Sequence, residues 1–119
     1  DTVAPQMIKI DHPAPFMTFT FEVSEEWKTR VPEVVHEDGT SRAQVLKREY
    51  NPRYYDMMKA LENLTGNGVS LNTSLNRRGE PMICSPTDAL NMFFGSDLEY
   101  LIMEDILVVK EGVKGYAID

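Results

Sequence analysis

Two pairs of a polar residue followed by proline fix where the helices of this chain can begin. Asn51-Pro52 and Ser85-Pro86 each place a side-chain acceptor directly before a proline, which suits the N-cap and the first position of a helix. Glycine follows each pair at the distance of a helix end, in Gly66-Asn67-Gly68 and at Gly95. The sequence therefore predicts two helices, and the remaining segments must supply strands and loops.

Short apolar or alternating segments predict the strands. Residues 16–23 alternate apolar and polar side chains, as a half-buried strand does, whereas the polar residues 24–30 are expected to form a loop. Asp38-Gly39 predicts a hairpin turn, because glycine accepts a positive φ without a steric clash. The predicted strands are residues 7–10, 16–23, 31–36, 41–48, 69–71, 100–103 and 106–109.

This order of elements, β-β-β-α-β-α-β-β when the short segment at residues 7–10 is left aside, favours an α/β fold with a mixed β-sheet and two packed helices. The chain has 119 residues, which suits a single domain. Residues 1–15 are expected to be an irregular lead-in, and residues 110–119 are expected to be a tail.

Charge and cysteine content exclude several classes of protein. Nineteen acidic residues against twelve basic ones give a net charge of −7, which disfavours nonspecific binding to nucleic acid. No apolar run approaches the roughly 18 residues of a membrane span, so neither nucleic acid nor a membrane is expected as a partner. Cys84 is the only cysteine, which favours a reducing compartment and a cytoplasmic location.

Residues 72–81 carry more polar groups than a fold alone requires. Asn72, Ser74 and Asn76 precede Arg77 and Arg78. If the segment is extended, Ser74, Asn76 and Arg78 share one side and Arg77 points away. Amides, a hydroxyl and a guanidinium fork on one side would suit a phosphate or acyl phosphate. The alternative is an ordinary turn with solvated arginines.

Other polar residues leave similar choices open. Arg42 and Gln44 lie on one predicted strand face, which is either a binding face or an exposed face of a hairpin. His36 is a candidate general base or a surface histidine. Cys84, in an apolar stretch, is expected to be a buried structural thiol. The two histidines and this cysteine have no spacing of metal ligands, so no metal site is expected in this chain.

Four motifs in one order resemble a known family. They are His36-x-Asp38-Gly39-Thr40-Ser41-Arg42-x-Gln44, Asn51-Pro52-Arg53-Tyr54, Asn72-Thr73-Ser74-x-Asn76-x-Arg78-Gly79-Glu80-Pro81 and Cys84-Ser85-Pro86-x-Asp88-Ala89. Together they resemble the C-terminal region of the O-carbamoyltransferases that include nodulation protein U and antibiotic carbamoyltransferases. The resemblance extends over residues 14–109.

The resemblance implies a role in a larger enzyme. It implies that this region is part of a YrdC-like domain in which carbamoyl phosphate and ATP, both substrates, form carbamoyl adenylate. An N-terminal transfer domain, the expected partner, would hold iron and pass the carbamoyl group to a hydroxyl. The resemblance assigns Arg42, Ser74, Asn76 and Arg78 to substrate and nucleotide binding, beside Asn72 from the residue pattern, and it assigns no catalytic residue.

Two departures qualify what the resemblance implies. Leu75 stands where the family usually has an aromatic residue. A basic stretch that supplies phosphate ligands in the family would precede this region, so the chain alone is expected to be inactive. The alternative is a non-catalytic interaction module that packs against a transferase partner.

Overall fold

The computed structural model describes residues 3–113, which belong to two compact units, Asp1–Asn72 (unit 1) and Thr73–Asp119 (unit 2). Both helices and strands are present, so the fold is mixed α and β. The predicted single mixed sheet is wrong for the described residues, because their strands form two separate antiparallel pairs. No helix in the described part of the chain is long and apolar enough to span a membrane.

Unit 1 consists of short elements around a small apolar core. In chain order they are α1 (Ala4–Met7), β1 (Phe21–Glu22), α2 (Glu25–Arg30), a 3₁₀ turn (Pro32–Val34), β2 (Thr40–Ser41) and α3 (Pro52–Thr65). Strand β1 pairs antiparallel with β2, and Ile8 forms an isolated bridge with Val23. The buried core residues are Met7, Ile8, Ala14, Phe21, Val23, Trp27 and Val31.

The polar residues 24–30, predicted as a loop, form the helix α2 instead. Glu25 and Glu26 lie in its first turn, and Lys28 and Arg30 lie in its last, an arrangement that complements the helix dipole. Trp27 is only 2% exposed. One buried aromatic anchor therefore holds a helix whose other side chains are polar, which the search for an apolar stripe could not find.

Several predicted strands are shorter than expected or absent. In residues 7–10, Met7 ends α1 and Ile8 forms only the isolated bridge. Residues 16–23 contribute the two residues of β1 and the bridge at Val23, and residues 41–48 contribute only Ser41, the second residue of β2. Residues 31–36 contain the 3₁₀ turn, which begins at Pro32, a residue that cannot donate to a strand ladder. Residues 69–71 form no strand.

The predicted turn at Asp38-Gly39 is confirmed, although its strand partners are not. Gly39 has φ 81° and its N–H donates to the His36 carbonyl across 2.9 Å. The strand after the turn pairs with β1, which lies earlier in the chain, rather than with residues 31–36. The Asp38-Gly39 signal therefore predicted the position of the turn but not which strands would pair.

The two helix starts are confirmed by their caps. The Asn51 side chain accepts from the Tyr54 N–H across 3.1 Å, and α3 ends at Gly66 with φ 76°. The helical spacing of Tyr54, Met57 or Met58, Leu61 and Leu64 predicts a buried stripe on α3. That prediction is wrong, because no residue of α3 is buried and Leu64 is 86% exposed. In unit 2, Ser85 caps α4 (Pro86–Phe94), which ends at Gly95.

Unit 2 packs α4 on a β-hairpin. Strands β3 (Tyr100–Met103) and β4 (Ile106–Val109) have the bounds predicted from the sequence. They pair antiparallel, with Leu101 opposite Val108 and Ile102 opposite Leu107. Leu101 is buried with Ala89 and Phe93 of α4. Residues 110–113 of the predicted tail include a turn at 111–112, and residues 114–119 lie outside the described residues.

Candidate functional site

The candidate residues of unit 2 lie in one tight loop, the 74–80 turn. The Leu75 carbonyl accepts from the Ile83 N–H across 3.1 Å and closes its base. At its tip the Glu80 N–H donates to the Arg77 carbonyl across 3.0 Å, and Gly79 has φ 85°. A positive φ at the third position is the requirement of a type II turn. The predicted extended segment is therefore folded back on itself.

Ser74 and Asn76 are brought together, but they bond to the turn. The Ser74 hydroxyl donates to Asn76 Oδ1 across 2.5 Å. Asn76 Nδ2 donates to the carbonyls of Arg77 and Glu80, at 3.1 and 2.9 Å. Since a primary amide has two donors, both amide hydrogens of Asn76 are used. Asn76 thus organises the tip of the turn.

The two arginines of the turn have different environments. Arg77 Nη2 donates to the Asn91 carbonyl at the end of α4 across 2.8 Å, and Arg77 Nη1 lies 3.9 Å from Glu80 Oε1. Arg78 is exposed, and its side chain forms no hydrogen bond or ion pair with residues 3–113. Arg77 therefore has structural contacts within unit 2, whereas Arg78 presents its guanidinium to solvent.

Cys84 and Asp88 form a second polar cluster at the start of α4. Asp88 Oδ2 accepts from the Ser85 hydroxyl across 2.7 Å and from the Cys84 thiol across 3.4 Å. These bonds, the Ser85 hydroxyl first, hold the pKa of the Asp88 carboxyl below its ordinary value. The bond to Asp88 raises the pKa of the Cys84 thiol. The expectation of a buried thiol is wrong, because Cys84 is exposed.

In unit 1, Arg42 and Asn72 line one cavity of about 300 Å³. Its wall also carries His36, Gln44 and Ser70 among apolar residues. Arg42 is exposed. Asn72 Nδ2 lies 3.4 Å from Met17 Sδ, a weak contact that leaves its polar groups available. Arg42 and Asn72 therefore form the candidate set of unit 1, as Ser74, Asn76 and Arg78 form that of unit 2.

Gln44 is less available than Arg42. Its Nε2 donates to the Pro15 carbonyl across 3.0 Å, and the Val45 N–H donates to the Ala14 carbonyl across 2.7 Å. The chain after β2 is therefore held against the segment that precedes β1. Gln44 is part of this contact between the two segments. Of Arg42 and Gln44, Arg42 is therefore the residue that remains available to bind an anion.

Helix α3 adds residues to the cavity that the sequence did not predict as site residues. Tyr54, Met58, Lys59 and Glu62 all line it. Lys59 Nζ donates to Glu62 Oε2, and this hydrogen bond raises the pKa of Lys59. The Tyr54 hydroxyl lies 3.3 Å from Ser70 Oγ. The spacing of Lys59 and Glu62 on one helix face was a signal for this pair.

His36 belongs to a short hydrogen-bonded chain in the Asp38-Gly39 turn. Its Nδ1 lies 3.1 Å from Thr40 Oγ1, and that hydroxyl donates to Asp38 Oδ1 across 2.7 Å. The Thr40 hydroxyl, followed by the Thr40 N–H, lowers the pKa of Asp38. The arrangement orients the His36 ring at the wall of the cavity.

The donor set of the described residues does not suit a metal ion such as iron. Within residues 3–113 no three His, Cys, Asp or Glu side chains are grouped to hold one.

Comparison with known proteins then decides the family. The sequence profile described as carbamoyltransferase C-terminus matches residues 1–110. The chain belongs to this family. Its O-carbamoyltransferase resemblance, with nodulation protein U among the relatives, is thereby confirmed.

Several relatives align with most of this carbamoyltransferase C-terminal region. Nodulation protein NolO of Bradyrhizobium diazoefficiens is 38% identical over 96 residues, covering 81% of this chain and 18% of the relative. An uncharacterized protein of Methanocaldococcus jannaschii is 37% identical over 97 residues, covering 82% and 19%. Nodulation protein U of Rhizobium tropici is 34% identical over 79 residues, covering 66% and 14%. The chain thus spans about a fifth or less of the length of these relatives.

Proposed function

We propose that this region is the C-terminal part of an ATP-dependent O-carbamoyltransferase, in which it belongs to a YrdC-like domain and helps to form carbamoyl adenylate. Its partner is the N-terminal transfer domain of the same enzyme, which holds iron and selects the hydroxyl acceptor. The single cysteine favours a cytoplasmic location. The observation that carries the proposal is the family match over residues 1–110. The exposed Arg78 guanidinium is the side chain that we assign to the phosphate.

The proposed step brings several negative charges together. Water hydrolyses carbamoyl phosphate to carbamate and inorganic phosphate. An oxygen of the carbamate then attacks the α-phosphorus of ATP, and the bond to the leaving pyrophosphate breaks, which gives carbamoyl adenylate. The reaction needs positive charge and oriented donors around the phosphates, which stabilise the developing charge in the transition state. It needs no nucleophile from this region, which agrees with the raised pKa of the Cys84 thiol.

In unit 2, Arg78 is the group that contacts a phosphate in this proposal. Arg78 is the second residue of the turn, directly before Gly79, and its side chain is exposed. A guanidinium fork can bind two phosphate oxygens at once. Asn76 holds the tip of the turn, and the Ser74 hydroxyl turns from Asn76 toward the substrate when it binds.

In unit 1, Arg42 and Asn72 supply the corresponding polar groups of the cavity. Its apolar wall and volume of about 300 Å³ fall within the range of small-molecule sites. Arg42 would bind an anionic group at the rim, and Asn72 would hydrogen-bond a polar edge of the ligand. The bonded pair of Lys59 and Glu62 adds little net charge, so Arg42 provides the attraction for an anion.

A second function has its own support. The Ser74–Asn76 pair and the two Asn76 bonds complete the turn without a ligand. A non-catalytic module that packs against a transferase partner would use the same turn only for structure. Under that alternative, Asn76→Ala would lower stability, and neither Arg42→Ala nor Arg78→Ala would change catalysis by the complete enzyme.

Release of pyrophosphate tests the proposal. The complete polypeptide is mixed with ATP and carbamoyl phosphate, and pyrophosphate is measured with and without carbamoyl phosphate. We expect release that depends on carbamoyl phosphate, and none from the 119-residue chain alone. Release of pyrophosphate by the isolated 119-residue chain would contradict the proposal that this region holds only part of the site. Failure of the complete enzyme to release pyrophosphate would contradict adenylate formation.

A further inference from the structure

The β3–β4 hairpin of unit 2 is apolar on both faces. Residues that pair across an antiparallel ladder share a face, so Leu101 and Val108 lie on the side that packs against α4. The opposite side, called the outer face below, consists of Tyr100, Ile102, Leu107 and Val109. A hairpin with one face in water normally alternates apolar and polar residues. This one does not.

The outer face is accessible in the described structure. Ile102 is 70% exposed and Tyr100 is 40% exposed, while Leu107 and Val109 are half-buried. Four adjacent apolar side chains on one strand pair form a contiguous patch rather than scattered exposed residues. Such patches mark a surface that another part of a protein covers.

The surroundings of the outer face are acidic. Four exposed carboxylates, at Asp97, Glu99, Glu104 and Glu111, lie in and beside the hairpin. Within the described residues 97–113 the one cationic side chain is Lys110, whose Nζ donates to the Ser96 carbonyl and lies 5.2 Å from the centre of the Phe93 ring. A complementary surface would therefore have an apolar centre and lysine or arginine residues at its edge.

We infer that the outer face is an intramolecular docking surface, covered by an apolar patch with a basic edge in the part of the carbamoyltransferase polypeptide that precedes this region. This inference rests on the proposal that the region is the C-terminal part of such an enzyme. The aligned region is only 14–20% of the relatives' length, so most of those polypeptides lies elsewhere and can supply this surface.

Two physical arguments favour this occupant over a second copy of the chain. Two copies that met through the outer face would bring their acidic edges together, and like charges repel. Four side chains also provide too little area for a stable dimer, which generally buries at least about 1,200 Å². A covalently linked partner acts at an effective concentration near the millimolar range, so a small patch is sufficient.

Thiol labelling tests the inference. Ile102→Cys and, separately, Leu107→Cys are introduced into the complete polypeptide, which also carries Cys84→Ser. The rate of maleimide labelling at each introduced thiol is measured by peptide mass spectrometry. The same protein in guanidinium gives the unprotected rate, and Leu64→Cys on α3 gives an exposed position for comparison. Two positions on the outer face keep the test informative if one variant folds poorly.

We expect labelling at both outer-face positions to be at least about tenfold slower in the native monomer than in guanidinium, since covered positions react only through local opening. Rates equal to the unprotected rate would overturn the inference. Protection found only in a dimer and lost on dilution would assign the surface to a second copy. Protection lost in a version that ends at Val113 would assign it to the last six residues.

Labelling requires neither ATP nor carbamoyl phosphate, so its result is separate from the test of function. Protection without pyrophosphate release would retain the docking surface and reject adenylate formation. Release of pyrophosphate with an unprotected outer face would retain the function and reject the docking surface.

Discussion

Arg77 Nη2 donates to the backbone carbonyl of Asn91 across 2.8 Å, which fastens the 74–80 turn to the end of α4. The same carbonyl accepts the Gly95 N–H across 3.1 Å. A Cβ at Gly95 would lie 1.5 Å from Arg77 Nη2. The guanidinium therefore occupies space that is available only because residue 95 is glycine.

We predict that Arg77→Ala lowers the free energy of unfolding by about 1 kcal/mol, the usual size for a partly exposed hydrogen bond. Gly95→Ala should have a similar cost, because the new Cβ displaces the guanidinium. The double variant should lose less than the two single losses together. Chemical denaturation of the four proteins measures this coupling, and strictly additive losses would show that the contact is not made.

The helix caps give a second prediction. Asn51→Ala and Ser85→Ala should each lower stability by about 1 kcal/mol, since each removes an acceptor for a backbone N–H in the first helical turn. Asn51→Asp should retain most of the stability, because aspartate is an equally good cap. Thermal melting measures the change. Unchanged midpoints for both alanine variants would contradict the observed caps.

Cys84 should react slowly for an exposed thiol. Its bond to the Asp88 carboxylate raises the thiol pKa, and the thiolate is the reactive form. The pH profile of iodoacetamide alkylation should therefore have its midpoint above that of an unfolded reference. Asp88→Asn should move the midpoint downward. A wild-type midpoint below the unfolded reference would contradict this interaction.

Acid should remove part of the stability. The carboxyls of Asp38, Asp56 and Asp88 have pKa values below their ordinary value, because of bonds from Thr40, Arg48 and Ser85 respectively. Their contribution is fully present above the unfolded pKa of about 4 and is lost as the pH falls through the lower folded values. Asp88→Asn should reduce this dependence, as denaturation at pH 7 and at pH 3 would show. An unchanged dependence would contradict the bonding at Asp88.

Local sequence signals predicted the elements whose ends are marked by capping residues, proline or glycine. Helices α3 and α4 begin directly after the predicted N-caps, Asn51 and Ser85. The hairpin strands Tyr100–Met103 and Ile106–Val109 are also as predicted. In contrast, α2 depends on the burial of Trp27, and the pairing of β1 with β2 depends on contacts between distant residues, which periodicity does not contain.

The candidate site was predicted as a set of residues but not as a geometry. Two neighbouring arginines of the 74–80 turn have different environments, because Arg77 is hydrogen-bonded to the Asn91 carbonyl while Arg78 is exposed. The prediction of an extended segment missed the structural contact of Arg77. The positive φ of Gly79 and the bonds of Asn76 shape the turn that separates the two arginines, and these features exist only in the folded chain.

Arg78 gives the most direct test of the account, through the steady-state rate of pyrophosphate release by the complete enzyme. If it binds a phosphate, its charge-assisted bonds contribute about 1.5–3 kcal/mol, so Arg78→Ala should lower kcat/KM for ATP or carbamoyl phosphate by about 10- to 100-fold. Arg78→Lys should recover only part of the loss, because an ammonium cannot form the bidentate contact.

The matched control is Arg48→Ala, because Arg48 is an exposed arginine paired with Asp56 on the surface of unit 1. It should change kcat/KM little, and melting curves would show that all three variants are folded. A loss at Arg78 that clearly exceeds the loss at Arg48 is the result that the account predicts. Equal, small effects in Arg78→Ala and Arg48→Ala would contradict the phosphate contact and leave the 74–80 turn with only a structural role.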